Sequence, residues 1–348
     1  MYLQLRITDI RKETPGTFTY YLEPVAQEPV SYLAGQFLTF IIQLHGKEYR
    51  RSYSFSSTPG IDPYMRVTIR EKENGEISRH ILRTWKKGDV VTSLEPSGRF
   101  TFEPGTNGAR DIFLMAAGSG ITPVFSLLKQ MLHEEPSARI VLIYSNTTPE
   151  RTIFLQELQT LQEQYSNRLH CIWLFSNDPE SQHTYRRLNN ILLELLVTEH
   201  LLYNKPEAQF FLCGPPEYMR MILLTLHFMG FREDQLHKEN FVVNTEARLA
   251  RTTLPADTSL KQVKIWLRHE VYELQIPANQ TILSYALEHN IALPYSCKGG
   301  VCGSCTALCT GGKVWMPVNE VLTDKELAEG LVLTCVGYPA SEQVSLEL

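Results

Sequence analysis

Pro294-Tyr295-Ser296-Cys297-Lys298-Gly299-Gly300-Val301-Cys302-Gly303-Ser304-Cys305 carries three thiols, and a fourth stands at Cys335. The spacing, C-x4-C-x2-C and then a long gap to the last Cys, is one that holds a [2Fe–2S] cluster. Two irons bridged by sulfide need four thiolates converging from one tight loop and one distant position. Ser296, Gly299, Gly300, Gly303 and Ser304 are small enough to let backbone N–H groups reach the sulfurs and offset their negative charge. Two other uses of the thiols compete with this one. A structural zinc site favours paired C-x2-C units, and a single such unit is present. A disulfide framework sits badly with an odd count of seven cysteines. Cys309 reads as a spare thiol, because the loop would have to be rebuilt to use it.

Outside that loop the composition is ordinary. The 348 residues are 43 % hydrophobic and 20 % charged, which predicts a soluble globular chain of about two to four domains. With four cysteines assigned, Cys171, Cys213 and Cys309 remain as free thiols, so a reducing, cytoplasmic compartment is expected. Met1-Tyr2-Leu3-Gln4 does not open a basic segment followed by an apolar one, so no export signal is expected. No apolar run reaches membrane-spanning length; Met221 to Phe231 comes nearest, and His227 and Gly230 interrupt it. A net charge of −5 without long runs of one sign gives no reason to expect nucleic-acid binding.

Residues 1–105 are rich in short β-type runs: Gln4–Ile10, Thr17–Glu23, Phe37–Leu44, Tyr64–Arg70 and Val90–Leu94. Pro15-Gly16, Gly46, Pro59-Gly60, Asn74-Gly75 and Gly88 separate them, a pattern that predicts a closed antiparallel β-barrel. Arg51-Ser52-Tyr53-Ser54 sets a guanidinium beside hydroxyls, suited to phosphate oxygens. Its aromatic ring suits stacking on a planar ligand. A hydroxyl-rich strand with no ligand fits these residues equally well. Arg51-x-Tyr53-Ser54 resembles the flavin signature of the ferredoxin–NADP reductase superfamily. The resemblance implies FAD, with Arg51 on the pyrophosphate, Tyr53 against the isoalloxazine ring and Ser54 near N5. Gly75-Glu76-Ile77-Ser78 is similar to the family's Gly-x-x-Ser at a helix start, where free N–H groups would meet the pyrophosphate. The resemblance places Val67, Ile69 and Arg70 on the strand along the ribityl and adenine side. Pro96-x-Gly98-x-Phe100 looks like the turn that closes the family's barrel, with Glu95 where many members have Gly.

Between 106 and 243 strand-like and helix-like patterns alternate. Ile112–Met115, Ile140–Tyr144, Cys171–Phe175 and Phe210–Leu212 are continuous apolar runs, as buried parallel strands should be. Phe154, Leu158, Leu161 and Tyr165 form one helical stripe and Ile191, Leu192, Leu195 and Leu196 another; both are read as core faces. The alternation predicts an α/β doubly wound parallel sheet. Its first strand runs into Gly118-Ser119-Gly120-Ile121-Thr122-Pro123, where Gly118 and Gly120 permit a sharp turn. Thr122 can cap the following helix and Pro123 suits its first position. The helix N-terminus then aims at an anion. The full string is similar to the nicotinamide-dinucleotide loop of the same superfamily. Cys213-Gly214-Pro215 matches the family's Cys-Gly-Pro motif, which implies Cys213 near the nicotinamide C4. A buried thiol ahead of a helix is the plain alternative. Glu239-Asn240-Phe241 resembles the family's terminal segment, whose acidic and aromatic residues lie over the flavin. Asn177 and Asp178, after the third strand, lean towards NADH over NADPH, against which Arg186 and Arg187 stand nearby.

Residues 244–260 lack apolar periodicity and read as a linker. Beyond it, Val263–Leu267 and Val271–Ile276 predict a hairpin turning at His269-Glu270, and Thr281–Glu288 a short helix with Ile282, Leu283 and Ala286 inward. Hairpin, helix and cluster loop in that order over 261–348 look like the β-grasp (α+β) fold of plant-type ferredoxins. Asp324, Glu326 and Glu329 read as a solvated helix face.

The domain order resembles the reductase components of multicomponent oxygenases, among them those serving phenylacetyl-CoA epoxidase, phenol hydroxylase and alkane hydroxylase. It implies a multidomain oxidoreductase carrying electrons from NAD(P)H through FAD and [2Fe–2S] to an oxygenase partner. A general reductase of several acceptors, or a redox sensor with negligible turnover, are the readings it competes with.

Overall fold

The computed structural model describes residues 2–26, 28–105, 108–177, 187–241 and 257–348. The chain forms two compact units, residues 1–242 and 243–348.

The first unit opens with strands β1 (Tyr2–Thr14), β2 (Thr17–Pro24), β3 (Phe37–Leu44), β4 (Lys47–Ser54) and β5 (Met65–Arg70). Helix α1 (Glu76–Thr84) and strand β6 (Val90–Leu94) follow. They make an antiparallel sheet in the order β4-β3-β6-β1-β2-β5, curled around Leu5, Ile7, Tyr20, Leu38, Phe40 and Ile69, all essentially without solvent contact. The β3–β4 hairpin turns on His45 and Gly46, both at positive φ, a two-residue turn whose twist matches the strands. The end strands β4 and β5 meet across a seam at the isolated bridge Phe55↔Val67. Near Glu95 the turn forms despite the missing glycine: Ser97 pairs with Phe37 and Gly98 takes the positive φ.

The rest of that unit alternates. Strands β7 (Asp111–Ala117), β8 (Arg139–Asn146), β9 (Leu169–Phe175), β10 (Gln209–Cys213) and β11 (Leu236–Glu239) are separated by α2 (Ile121–Glu134), α3 (Leu155–Gln164), α4 (Asn190–His200) and α5 (Pro216–Phe228). All pair in parallel, in the order β11-β10-β7-β8-β9. The chain winds outward from β7 and then returns to its other side at β10. The strand order therefore reverses between β7 and β10, where such sheets bind ligands. Helices α2 and α3 cover one face and α4 and α5 the other. The α4 stripe is corrected here: Leu192 and Leu196 are buried with Leu193 and Val197, whereas Ile191 and Leu195 face solvent. The helix is apolar nearly all round, so periodicity alone could not choose its inner face.

The second unit is a mixed sheet in the order β13-β12-β18-β14-β16. Its strands are β12 (Leu260–Leu267), β13 (Glu270–Pro277), β14 (Thr306–Gly311), β16 (Leu331–Leu333) and β18 (Gln343–Glu347), with β15 (Val314–Trp315) and β17 (Tyr338–Pro339) as a separate pair. The hairpin register Leu267↔Glu270 puts the turn at Arg268-His269, one residue earlier than expected, with Arg268 at positive φ. Helix α6 (Ile282–Glu288), capped by the Thr281 side chain, buries Ile282, Leu283 and Ala286 against the sheet. Helix α7 (Asp324–Ala328) begins with a reciprocal Thr323–Glu326 capping box, so part of the acidic stretch serves the helix start.

Candidate functional site

The barrel seam collects the residues of the first motif. Arg51, Tyr53 and Ser54 lie on β4 and Arg70 ends β5. Arg51 is exposed and donates from Nη1 to the Arg50 carbonyl at 2.8 Å. Tyr53 packs beside Phe40, 6.2 Å between ring centres, and burial holds its phenol protonated well above the usual range. Val67 and Ile69 point their side chains into the barrel core, leaving only backbone towards the seam. Helix α1 starts at Gly75 with no side-chain cap, so its first N–H groups are available to an anion. Ser78 Oγ accepts from the Lys72 N–H at 3.0 Å, and Ile77 is core; both act through their backbone. A Cβ on Gly75 would come within 2.8 Å of Lys72 Cβ. The seam, the exposed guanidinium and the uncapped helix fit a flavin nucleotide.

At the sheet's switch point two loops meet. After β7 a 3-10 turn at Gly118–Gly120 winds directly into α2. Thr122 does not cap: the helix begins one residue before it, and Thr122 Oγ1 turns back to donate to the Ser119 carbonyl at 3.0 Å. Pro123 is the third helical residue, not the first. The cap position is Gly120, with no side-chain cap, although the Ile121 N–H already donates to the Gly118 and Ser119 carbonyls; a helix start without a capping side chain suits a pyrophosphate. Gly120 lies flat on the next loop, since a Cβ there would stand 2.1 Å from the Cys213 carbonyl oxygen. A Cβ on Gly214 would come 2.8 Å from the Tyr218 ring. Pro215 is the N-cap residue of α5. Two tyrosines not singled out from the sequence brace this loop. Tyr144 Oη donates to the Gly118 carbonyl at 3.1 Å and Tyr218 Oη to the Ala116 carbonyl at 3.2 Å. A buried Tyr hydroxyl needs a partner, and that was the available signal. Arg70 also reaches this loop, its Nη1 2.9 Å from where a Gly118 Cβ would sit. Ser176 and Asn177 donate backbone N–H groups to Asn146 and Thr147; Asp178 and Arg186 lie outside the described residues.

Ser54, Cys213 and Glu239 come together. Cys213 and Glu239 are register neighbours on β10 and β11, and Ser54 Oγ donates to Glu239 Oε2 at 3.0 Å. Burial pushes the Glu239 carboxyl up to about 8, with the Ser54 bond opposing it. Burial, and then the nearby Glu239, raises the Cys213 thiol well above its ordinary range, so Cys213 is an uncharged wall. Phe241, two residues on, is exposed.

In the second unit the thiols Cys297, Cys302, Cys305 and Cys335 converge. Cys297 is in hydrogen-bond contact with Cys302 and Cys335, and Cys305 with Cys335. Hydrogen bonds from Cys302 and Cys335 pull the Cys297 thiol down, helped by backbone N–H groups of Val301 and Gly299. The Gly299 N–H points at Cys297 Sγ, 3.3 Å away, as the small residues predict. Lys298, Gly300 and Gly303 take positive φ, and a Cβ on Gly300 would meet the Val318 carbonyl at 3.0 Å. Among the described residues no group of three or more His, Cys, Asp and Glu side chains is arranged to hold a metal ion as it stands. The contacts run as one chain, Cys302–Cys297–Cys335–Cys305, so the four thiols lie in one place, as the ligands of a two-iron cluster would. Cys309 sits on β14 and donates to the Gly311 carbonyl at 3.4 Å.

Residues 5–102 match the oxidoreductase FAD-binding domain family, 114–223 the oxidoreductase NAD-binding domain family and 269–340 the 2Fe-2S iron-sulfur cluster binding domain family. One component of the 1,2-phenylacetyl-CoA epoxidase of Escherichia coli is 30% identical over 99% of this chain and 96% of its own. The ferredoxin reductase component of the 3-ketosteroid-9-alpha-monooxygenase of Rhodococcus rhodochrous is likewise 30% identical, over 99% and 96%. Among solved structures, phthalate dioxygenase reductase aligns over 100% of this chain and 98% of its own, with a TM-score of 0.59 at 23% identity, a likeness of fold.

Proposed function

The chain belongs to the flavin- and nicotinamide-dependent reductases that join FAD-binding and NAD-binding domains to a 2Fe-2S domain, and on that ground we propose that it feeds electrons to the oxygenase component of a multicomponent oxygenase, phenylacetyl-CoA epoxidase foremost. It is an oxidoreductase whose cofactors are FAD, a [2Fe–2S] cluster and a nicotinamide dinucleotide. FAD, when bound, would supply the conversion of an electron pair into single electrons that a dinucleotide donor and a [2Fe–2S] acceptor require. The chain's residues serve that exchange by position. Arg51 and the α1 N-terminus, with Gly75, Ile77 and Ser78, hold the flavin pyrophosphate. Tyr53 and Phe241 shield the flavin ring from water, and Val67, Ile69 and Arg70 line its ribityl side. Gly118, Gly120 and Thr122 form the turn and helix start that meet the dinucleotide pyrophosphate, with Pro123, which has no N–H to offer, in the first helical turn; Cys213, Gly214 and Pro215 form the opposite wall. Ser54 and Glu239 keep a proton beside the reacting ring. Cys297, Cys302, Cys305 and Cys335 bind the irons. The domains run 1–105 for flavin, 106–243 for nucleotide and 261–348 for the cluster, with 244–260 as linker, of which 244–256 lie outside the described residues. NADH is the favoured donor.

The observation that carries this reading is that one chain holds both the buried meeting of Ser54, Cys213 and Glu239 and a loop in which four thiols converge. A cytoplasmic setting suits seven cysteines that are all free, and among the described residues no helix is long and apolar enough to cross a membrane. The test is NADH oxidation by the purified holoprotein, with cytochrome c and then with the epoxidase oxygenase component and phenylacetyl-CoA. Rapid cytochrome c reduction and NADH-dependent epoxide formation are expected. Negligible turnover with every acceptor would make the chain a sensor; cytochrome c reduction without epoxide would make it a reductase for another acceptor.

A further inference from the structure

Phe55 leads from β4 into a buried run of hydroxyls, Ser56-Ser57-Thr58. The barrel holds this loop from its own side. Ser56 Oγ and Thr68 Oγ1 share a hydrogen bond at 2.9 Å. Ser57 Oγ accepts from the Arg66 N–H at 2.9 Å and shares a second bond with Tyr32 Oη at 2.8 Å. The Asp62 carboxylate folds the loop back, accepting from the Thr58 N–H at 2.6 Å. Helix α2 grips the other side. Thr58 Oγ1 donates to the Ser126 carbonyl at 2.7 Å, and Ser126 Oγ donates in return to the Ser57 carbonyl at 2.5 Å. Lys129 Nζ donates to the Ser56 carbonyl at 3.1 Å and pairs with Asp62. Ser126 and Lys129 are three residues apart, so they share one face of the helix, and both are buried. Donors come from both sides, and sliding α2 by the length of one bond breaks all of them together. An apolar layer would tolerate such sliding; a satisfied buried polar layer specifies one geometry.

The clasp stands between the two halves of the site. Ser54, bonded to Glu239, is four residues before Thr58. Gly120, which lies flat on the Cys213 carbonyl, is six residues before Ser126, about 9 Å along a helix. We propose that Thr58, Ser126 and Lys129 are positioning residues for hydride transfer, fixing the dinucleotide loop at the start of α2 against the flavin strand. The inference rests on the reading that a nicotinamide and a flavin ring meet beside Ser54 and Cys213. A tilt of about 6° at the clasp moves a group roughly 9 Å away by about 1 Å, and a displacement of that size costs on the order of 100-fold in rate. None of the three is among the residues assigned to flavin or dinucleotide contact, so their loss slows transfer without weakening binding.

The test is stopped-flow bleaching of the flavin in the anaerobic holoprotein by NADH and, separately, by NADPH, with amide hydrogen exchange read on the same protein before the dinucleotide is added. Ser126→Ala should lower the limiting bleaching rate about 10-fold, and Ser126→Ala with Thr58→Val about 100-fold. The dissociation constant of the dinucleotide should stay within about twofold, and amides at Gly118–Ile121 should exchange faster than in wild type. Thr58→Ser, which keeps the hydroxyl, should keep the wild-type rate. Thr58→Val against Thr58→Ser stands in if Ser126→Ala loses its flavin. Variants that melt earlier yet bleach at the wild-type rate overturn the proposal, since the clasp then serves stability alone. A weaker dissociation constant that accounts for the whole loss also overturns it. A wild type left oxidised by both dinucleotides overturns the functional reading and this proposal with it, whereas a rapidly bleached wild type matched by its variants overturns this proposal alone.

Discussion

Ser54→Ala should move the titration of Glu239 upward and leave the fold in place. Burial pushes that carboxyl to about 8, and the Ser54 hydroxyl, donating at 3.0 Å, opposes the rise. A hydrogen bond to a charged group is worth roughly 1.5–3 kcal/mol, and one pKa unit corresponds to about 1.4 kcal/mol. Its loss should therefore carry Glu239 up by about one to two units. The assay is an infrared difference titration of the protonated carboxyl band, assigned by its disappearance in Glu239→Gln. A band that titrates at the same pH in Ser54→Ala and wild type would refute the reasoning, because the hydroxyl would then not be stabilising the carboxylate. Stability gives an independent check of sign. The folded acid keeps its proton between about 4.5 and 8 while the unfolded chain loses it. Stability from this group is thus fully present below 4.5 and declines as pH rises towards 8, by at most about 1.4 kcal/mol per pH unit. Glu239 is enclosed yet keeps some solvent-facing surface, so water screens part of the penalty and the slope should be shallower. Glu239→Gln should flatten it.

Other outcomes follow from single contacts. Gly120→Ala forces a Cβ to within 2.1 Å of the Cys213 carbonyl; the nucleotide loop must shift, and NADH-dependent ferricyanide reduction should fall about 100-fold with flavin content unchanged. Cys335→Ser should abolish the cluster's visible absorbance and acid-labile sulfide, whereas Cys309→Ser should retain both, since Cys309 donates to Gly311 and lies on β14, outside the thiol loop. Asp62→Ala strips the buried Lys129 and the partly buried Arg66 of their shared acid and should cost about 3 kcal/mol in thermal or urea unfolding.

What the sequence showed of this molecule was whatever local chemistry alone decides. Thiol spacing and interleaved glycines specify a loop whatever surrounds them, and Cys297, Cys302, Cys305 and Cys335 duly converge. Apolar runs such as Ile140–Tyr144 announce buried parallel strands because both faces are covered. Positions that depend on where an element begins were less legible. Thr122 has the right chemistry for a cap, but the 3-10 turn at Gly118–Gly120 starts the helix early and converts it into an internal brace. The Ser54–Glu239 bond joins residues 185 apart in the chain; only the closure of the barrel onto the parallel sheet brings them together.

The α4 helix shows the same limit from the opposite side, and its consequence is physical. In Asn190–His200 the residues Ile191, Leu192, Leu193, Leu195, Leu196 and Val197 are all apolar, so two overlapping helical stripes exist, each a sound core face by its period. The sheet can cover one of them. It takes Leu192, Leu193, Leu196 and Val197 because these project towards Phe113, Met115 and Val141 from the same side. Ile191 and Leu195 are then left outward by geometry. A chain that needed only its own core could carry polar residues at those two positions and at Leu224 and Phe228, at no loss to the sheet packing. An exposed Leu or Ile on a helix is ordinary in a folded protein, so the outward residues mark only where the helical period left the choice of inner face to the sheet.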